Sequence, residues 1–247
     1  MEVATAISEY VAVSSVLTSL NLSQNEMCGV DWMDRGTYTA EGIKAISNAL
    51  RVNSALTSLN LAGDPYSMAG HIRPEGAKEI AEALKVNSGL TSLNLSENML
   101  CGVTPWGEGV GRGYTAEGIN AIADALKVNS VLTSLDLVRN KIGEGAAIAA
   151  ALRVNSVLTS LSLYDNHIGD EGAKAIGDAL RDNSALTSLD LRHNSIGGEA
   201  AQIAAAVLGS ASLEEFGSVP MKQLRAGTLT ALDLSKKSLG PAEGIVV

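Results

Sequence analysis

Asp136, Arg139, Tyr164, Asp165, Asp190, Arg192 and His193 bring carboxylates, guanidinium groups, a phenol ring and an imidazole into the second half of the chain. Side chains of these types build ion-pair rows, clamps for acidic groups and cation–aromatic stacks. A second set gathers rare large residues: Trp32, Tyr38, Tyr66, Trp106 and Tyr114, with Cys28 and Cys101 among them. Aromatic rings are enriched where proteins grip other proteins. The three histidines, His71, His167 and His193, show neither a carboxylate–histidine–nucleophile order nor metal-ligand spacing. Gly107 to Gly113 is glycine-rich, yet no strand–loop–lysine signature of a phosphate loop accompanies it. The expectation is a non-enzymatic chain with no cofactor and no metal.

What must position these residues is a repeat. Leu-Thr-Ser-Leu-x-Leu begins at Leu17, Leu56, Leu90, Leu132, Leu158 and Leu186, and a variant begins at Leu229. Leu161 and Leu163 alternate with Ser160, Ser162 and Tyr164, the period of a half-buried strand. Downstream, Ala173, Ile176, Ala179 and Leu180 share one face of a helix. Each unit therefore reads as one strand and one helix. Asp170 or Thr115 is placed to cap a helix start, and Glu41, Glu75, Glu117, Glu144 and Glu171 suit the positive end of the dipole. Arg51, Lys85, Lys127, Arg153 and Arg181 complement the other end. Asn53, Asn87, Asn129, Asn155 and Asn183, each followed by Ser, read as helix C-terminal caps or turns.

The run Leu-x-x-Leu-x-Leu-x-x-Asn, ending at Asn25, Asn98, Asn140, Asn166 and Asn194, resembles the leucine-rich repeat pattern. Its long form, with the tail Asn-x-Ile-Gly-x-Glu-Gly-Ala from Asn166 to Ala173, is similar to the ribonuclease-inhibitor-like class. That class includes the sensing regions of NOD-like receptors and the Ran GTPase activators. The resemblance implies an α/β solenoid, or horseshoe, with parallel inner strands and outer helices. It also implies that each asparagine amide bonds backbone groups of adjacent turns. Position 64 is Asp and the last unit reads Ser235-Lys236-Lys237, so the asparagine row is altered in the second unit and lost at the end.

Residues 1–247 read as a single repeat domain of about eight strand units, with a degenerate strand near Leu213 and an irregular unit at 209–228 closed by a turn or short helix from Met221 to Ala226. Neither end shows a polar cap, which points to a fragment of a longer array or to a terminal unit that meets another chain.

Inserts near 26–38, 65–72 and 99–114 fall between strand end and helix start, so stacking aligns them along one edge. They hold all five aromatics named above. Such rings either form a binding ridge or fold back as satellite cores. On the strand face the early units carry only short polar residues, while Arg139, Asp165 and His193 occupy one offset of successive units and suggest a charge ladder. Tyr164 is placed to stack under Arg192. This row either binds a partner or satisfies itself.

Eighteen Lys and Arg against 27 Asp and Glu give a net charge of -9, which disfavours nucleic acid. No basic leader and no apolar run of membrane length stand in the sequence, and two cysteines fit a reducing compartment. The expected function is a cytoplasmic protein-interaction scaffold with a protein partner and no membrane. Arg139 and Arg192 leave open a GTPase-activating role by fold analogy, and a piece of a NOD-like receptor-type sensor is a further alternative.

Overall fold

The computed structural model describes residues 2–29, 36–66, 71–102, 113–143 and 145–247. In chain order it runs α1 (Glu2–Val13), β1 (Ser19–Asn21), α2 (Glu41–Val52), β2 (Ser58–Asn60), α3 (Arg73–Leu84), β3 (Ser92–Asn94), α4 (Glu117–Val128), β4 (Ser134–Asp136), α5 (Ala146–Leu152) and β5 (Ser160–Ser162). It continues with α6 (Gly169–Asp182), β6 (Ser188–Asp190), α7 (Ala200–Gly209), β7 (Glu215–Phe216), α8 (Met221–Ala226) and α9 (Pro241–Val246). The seven strands form one parallel sheet in sequence order, and the register matches the repeat: Leu59 stands beside Leu93, Leu93 beside Leu135, Leu161 beside Leu189.

The leucines at these offsets are what stacks the units. Leu56, Leu59 and Leu61, and their counterparts up to Leu186, Leu189 and Leu191, are almost wholly buried against the helix residues Ile80, Ile122, Ile148 and Ile176. Full burial of such a side chain contributes about 1.5–3 kcal/mol. Helices are broader than extended strands, so placing them all on one side makes the strand side the inner one. Glycine after the first glutamate of a helix permits close approach: a Cβ on Gly118 would stand 2.1 Å from the Leu100 carbonyl.

Polar ladders fix the units on both sides of this core. Asn140, Asn166 and Asn194 are buried, and each Nδ2 donates to a leucine carbonyl of the preceding unit, as Asn166 does to Leu137 O at 2.8 Å. Each Oδ1 accepts from that unit's asparagine amide, as Asn166 Oδ1 does from Asn140 N at 2.8 Å. Asn25 is exposed, and among the described residues its side chain bonds Ser23 O of its own unit.

At the helix ends, Asn87 Oδ1 accepts from Gly89 N and Leu90 N, the turn expected there, while its Nδ2 reaches Leu50 O and Asn53 O one unit back. A third ladder was not anticipated: the motif's threonine hydroxyl donates to the threonine carbonyl before it, Thr57 to Thr18, Thr91 to Thr57, Thr133 to Thr91.

Two expectations are corrected. Asp170 lies inside α6 and does not cap that helix; its carboxylate accepts from Gly197 N, Gly198 N and Glu199 N at the start of α7, and these amides hold its pKa below the ordinary value. Thr115 behaves as expected, its Oγ1 accepting from Glu117 N. Glu144 lies outside the described residues.

The second correction is to the strand count. Leu229 to Leu234 is not a strand, so the described residues hold seven strands and not eight. After β7 the chain doubles back through an antiparallel bridge between Phe216 and Val219, and α8, at the expected place, follows directly. Lys236 and Ser238 keep the left-handed turn of a repeat, but Arg192 of the sixth unit bonds Lys237 O, and α9 packs on α7. The would-be eighth unit thus completes the seventh.

Asn166→Ala leaves several buried backbone groups without partners and is expected to lower stability to urea by about 3 kcal/mol. Asn25→Ala is expected to cost under about 1 kcal/mol. Equal losses in the two unfolding curves would show that the inter-unit amide bonds are not what holds the turns.

Candidate functional site

Turning each asparagine inward throws its two neighbours outward. Glu97 and Met99, Arg139 and Lys141, Asp165 and His167, and His193 and Ser195 all have φ between 50° and 60°. Left-handed backbone costs non-glycine residues about 1–2 kcal/mol each, which the buried amide bonds offset. Two rows of outward side chains result, one on each side of the asparagines.

In the first row Arg139 bridges neighbouring units, with NH1 3.0 Å from Glu97 Oε1 and Nε 2.9 Å from Asp165 Oδ2. Its pKa is raised by hydrogen bonds first to Glu97 and then to Asp165. The guanidinium is about half exposed, so these pairs contribute little to stability. The early units are expected from sequence to carry only short polar residues on this face; Glu97, which precedes Asn98 as Arg139 precedes Asn140, was the available signal.

His193 continues the row by contact and not by charge. Its ring lies 4.7 Å from that of Tyr164, tilted by 42°, and Arg192 covers the other ring contact at 5.5 Å from the Tyr164 centroid. Arg192 is clamped by Asp190, Nε to Oδ1 at 3.0 Å and NH2 to Oδ2 at 2.6 Å, and Asp190 raises its pKa. Asp136 turns its carboxylate to Val138 N at 3.0 Å, and burial raises its pKa. Both arginines considered for GTPase activation therefore have their guanidinium groups engaged within the chain.

A cleft of about 240 Å³ opens beside the first row. Pro65 and His71 of the second insert form one wall, and Glu97, Met99, Arg139, Lys141, Asp165 and His167 form the rest. The structure thus joins the second insert to the charged row, which the sequence had left as two separate surfaces. Lys141, which the sequence reading passed over, has no ion-pair partner among the described residues.

The aromatic set separates. Tyr38 and Tyr114 pack against the core and donate their hydroxyls to Ile72 O and Ile142 O of the following unit; the second bond is 2.8 Å. Arg73 stacks on Tyr38 at 4.6 Å. These two rings hold inserts down and do not form an exposed ridge: each is partly buried against the core, with its hydroxyl tied to a backbone carbonyl of the next unit. Tyr66 is 97% exposed. Trp32 and Trp106 lie outside the described residues.

Matching necks close the first and third inserts: Thr39 N donates to Cys28 O and Thr115 N to Cys101 O, both at 2.9 Å. Burial pushes both thiols up to about 12. Among the described residues no cluster of His, Cys, Asp or Glu could hold a metal, and no helix is long and apolar enough to cross a membrane.

Since a thiol with a raised pKa stays protonated below that pKa, neither cysteine is expected to react with a disulfide reagent at about pH 8 in the native protein, and both are expected to react in denaturant. Fast native labelling of Cys28 or Cys101 would contradict the closed necks.

A family model described as Leucine Rich repeat matches residues 128–149, 154–177 and 182–202. A search of curated proteins returns no match. Among solved structures the chain is similar to leiomodin-1 actin-binding site 2, with a TM-score of 0.47 and 24% identity over 63% of this chain and 87% of that one. It is also similar to the tropomodulin C-terminal domain of Caenorhabditis elegans, with a TM-score of 0.47 and 13% identity over 91% and 98% of the two chains. A third is the leucine-rich repeat-containing protein LegL7 from Legionella pneumophila, with a TM-score of 0.41 and 20% identity over 87% and 69%. The three matched units are consecutive, and their leucines pair position for position along the sheet: residues 128–202 carry leucine-rich repeats, and the fold is a leucine-rich repeat solenoid of parallel strands and helices.

Proposed function

We propose that the protein is a non-enzymatic interaction scaffold that takes a protein partner along the cleft between the second insert and the charged row. The observation that carries this reading is the bridge from Glu97 through Arg139 to Asp165, presented on strained, outward-turned backbone with Lys141 beside it. An ion-pair bridge that adds little stability, held at fixed outward-turned positions, supports a role in recognition. Exposed Tyr66, next to Pro65 of the cleft wall, supplies an aromatic contact, and Trp32 and Trp106 are retained as anchoring rings on the strength of their residue type and insert position. Tyr164, Asp190, Arg192 and His193 extend the same face toward the C-terminal units and set selectivity. Two free, buried thiols fit a reducing, cytoplasmic setting.

Capture from an extract of the native cell, identified by mass spectrometry, tests the site. Against the unaltered chain, Tyr66→Ala with Arg139→Glu is expected to weaken capture of the same partner at least about tenfold, a difference of about 1.4 kcal/mol, with the circular dichroism spectrum unchanged. Trp32→Ala with Trp106→Ala is expected to do the same. Undiminished capture by both variants would overturn the site.

A further inference from the structure

The two ends of the array finish differently. At β7 the outer edge is filled by its own chain: Val219 N donates to Phe216 O, Lys222 N to Glu214 O, and the Arg225 guanidinium to Leu213 O and Val207 O. β1 has a neighbour on one side only. In β2, the strand that follows it, Ser58 N donates to Thr18 O and Asn60 O accepts from Leu22 N, both across the side facing β1. The same alternation turns the amides and carbonyls of Ser19 and Asn21 to the open side of β1, where the described residues offer them no partner.

Helix α1 repeats the asymmetry. Ala4, Ser8 and Val11 are buried toward α2, while Val3, Ile7 and Tyr10, at i, i+4 and i+7, make a second apolar stripe on the end of the array. Val3 is 71% exposed and Tyr10 57%. Between stripe and strand, Leu17 and Leu20 close the core only partly, and Val16 is 78% exposed. From Val11 to Gln24 the chain has no charged residue, although its net charge is -9. Bare strand edges are ordinarily blunted by lysine, proline or a covering segment; β1 contains no lysine or proline, and none of the described residues covers its open side.

We propose that this face pairs with the same face of a second copy of the chain, β1 antiparallel to β1 and the α1 stripe against its counterpart, about a two-fold axis running from the concave to the convex side. The occupant follows from the geometry. An axis through Leu20 sets Ser19 opposite Asn21 twice, and each such pair exchanges both an amide and a carbonyl bond. A head-to-tail array is closed off because β7 has already filled its edge, so the isologous pair is the arrangement that ends the sheet on both sides. The uncharged segment from Val11 to Gln24 brings no like charges together at the strand pairing, and the pairing leaves both concave clefts open on the same side.

Sedimentation velocity and light scattering on the unaltered chain test this. The mass is expected to rise from 25.4 kDa to twice that value as concentration passes through the micromolar range, and the pair is expected to tighten with added salt, which screens the repulsion between two negatively charged copies. Val3→Glu with Tyr10→Glu, at exposed positions, is expected to leave a monomer with an unchanged circular dichroism spectrum. Ser19→Pro removes an outward amide without touching a bond to β2, and is expected to weaken the pair at least about tenfold. A monomer at about 100 µM in every salt, growth beyond two copies, or a dimer that survives both variants would overturn the proposal.

Discussion

One constraint governs the molecule: no unit can satisfy its own backbone, and each depends on its neighbour for partners to its buried strand and turn groups. The buried asparagine shows this most plainly, since Asn166 donates to Leu137 O behind it, accepts from Asn140 N behind it, and is itself met by Asn194 ahead. The helix-end asparagines and the strand threonines repeat the arrangement at two other levels of the cross-section. An isolated unit would leave these groups buried and unpaired, at a cost of about 1–3 kcal/mol each. Stacking removes that cost and buries the leucines in the same step.

The surface is a consequence of those ladders. An asparagine can reach both neighbours only if the residues flanking it adopt left-handed backbone, and that backbone points Arg139, Asp165, Lys141 and His167 away from the core. The charged rows are thus by-products of the ladder in position and free in identity. Where the early units place small polar residues on the strand face, the later units place ions and rings. The second insert meets this row because it leaves the chain just past the same turn, and Pro65 and His71 come to rest beside Arg139.

Termini follow the same logic. β7 is short because the chain folds back on it through Val219, and the helix it lacks is supplied by α9 after an excursion of irregular chain. The first unit has Ser14 where the second to sixth carry asparagine, and its hydroxyl accepts from Leu17 N as Ser210 does from Leu213 N in the seventh. Among the described residues, the edge of β7 is filled and that of β1 is not.

The repeat, the strand and helix of each unit, the parallel order and the asparagine row were legible in the sequence, because period and residue type alone decide which groups are buried and which backbone atoms need a partner. Residue type could not say where Tyr38 and Tyr114 spend their hydroxyls, that Asp170 serves the next helix, or that Glu97 joins Arg139. Those contacts cross from one unit to another and depend on the distance and twist between turns, which no single unit encodes. The lost eighth strand has the same origin: Leu229 to Leu234 carries the strand pattern, and only the filled edge of β7 denies it a place to pair.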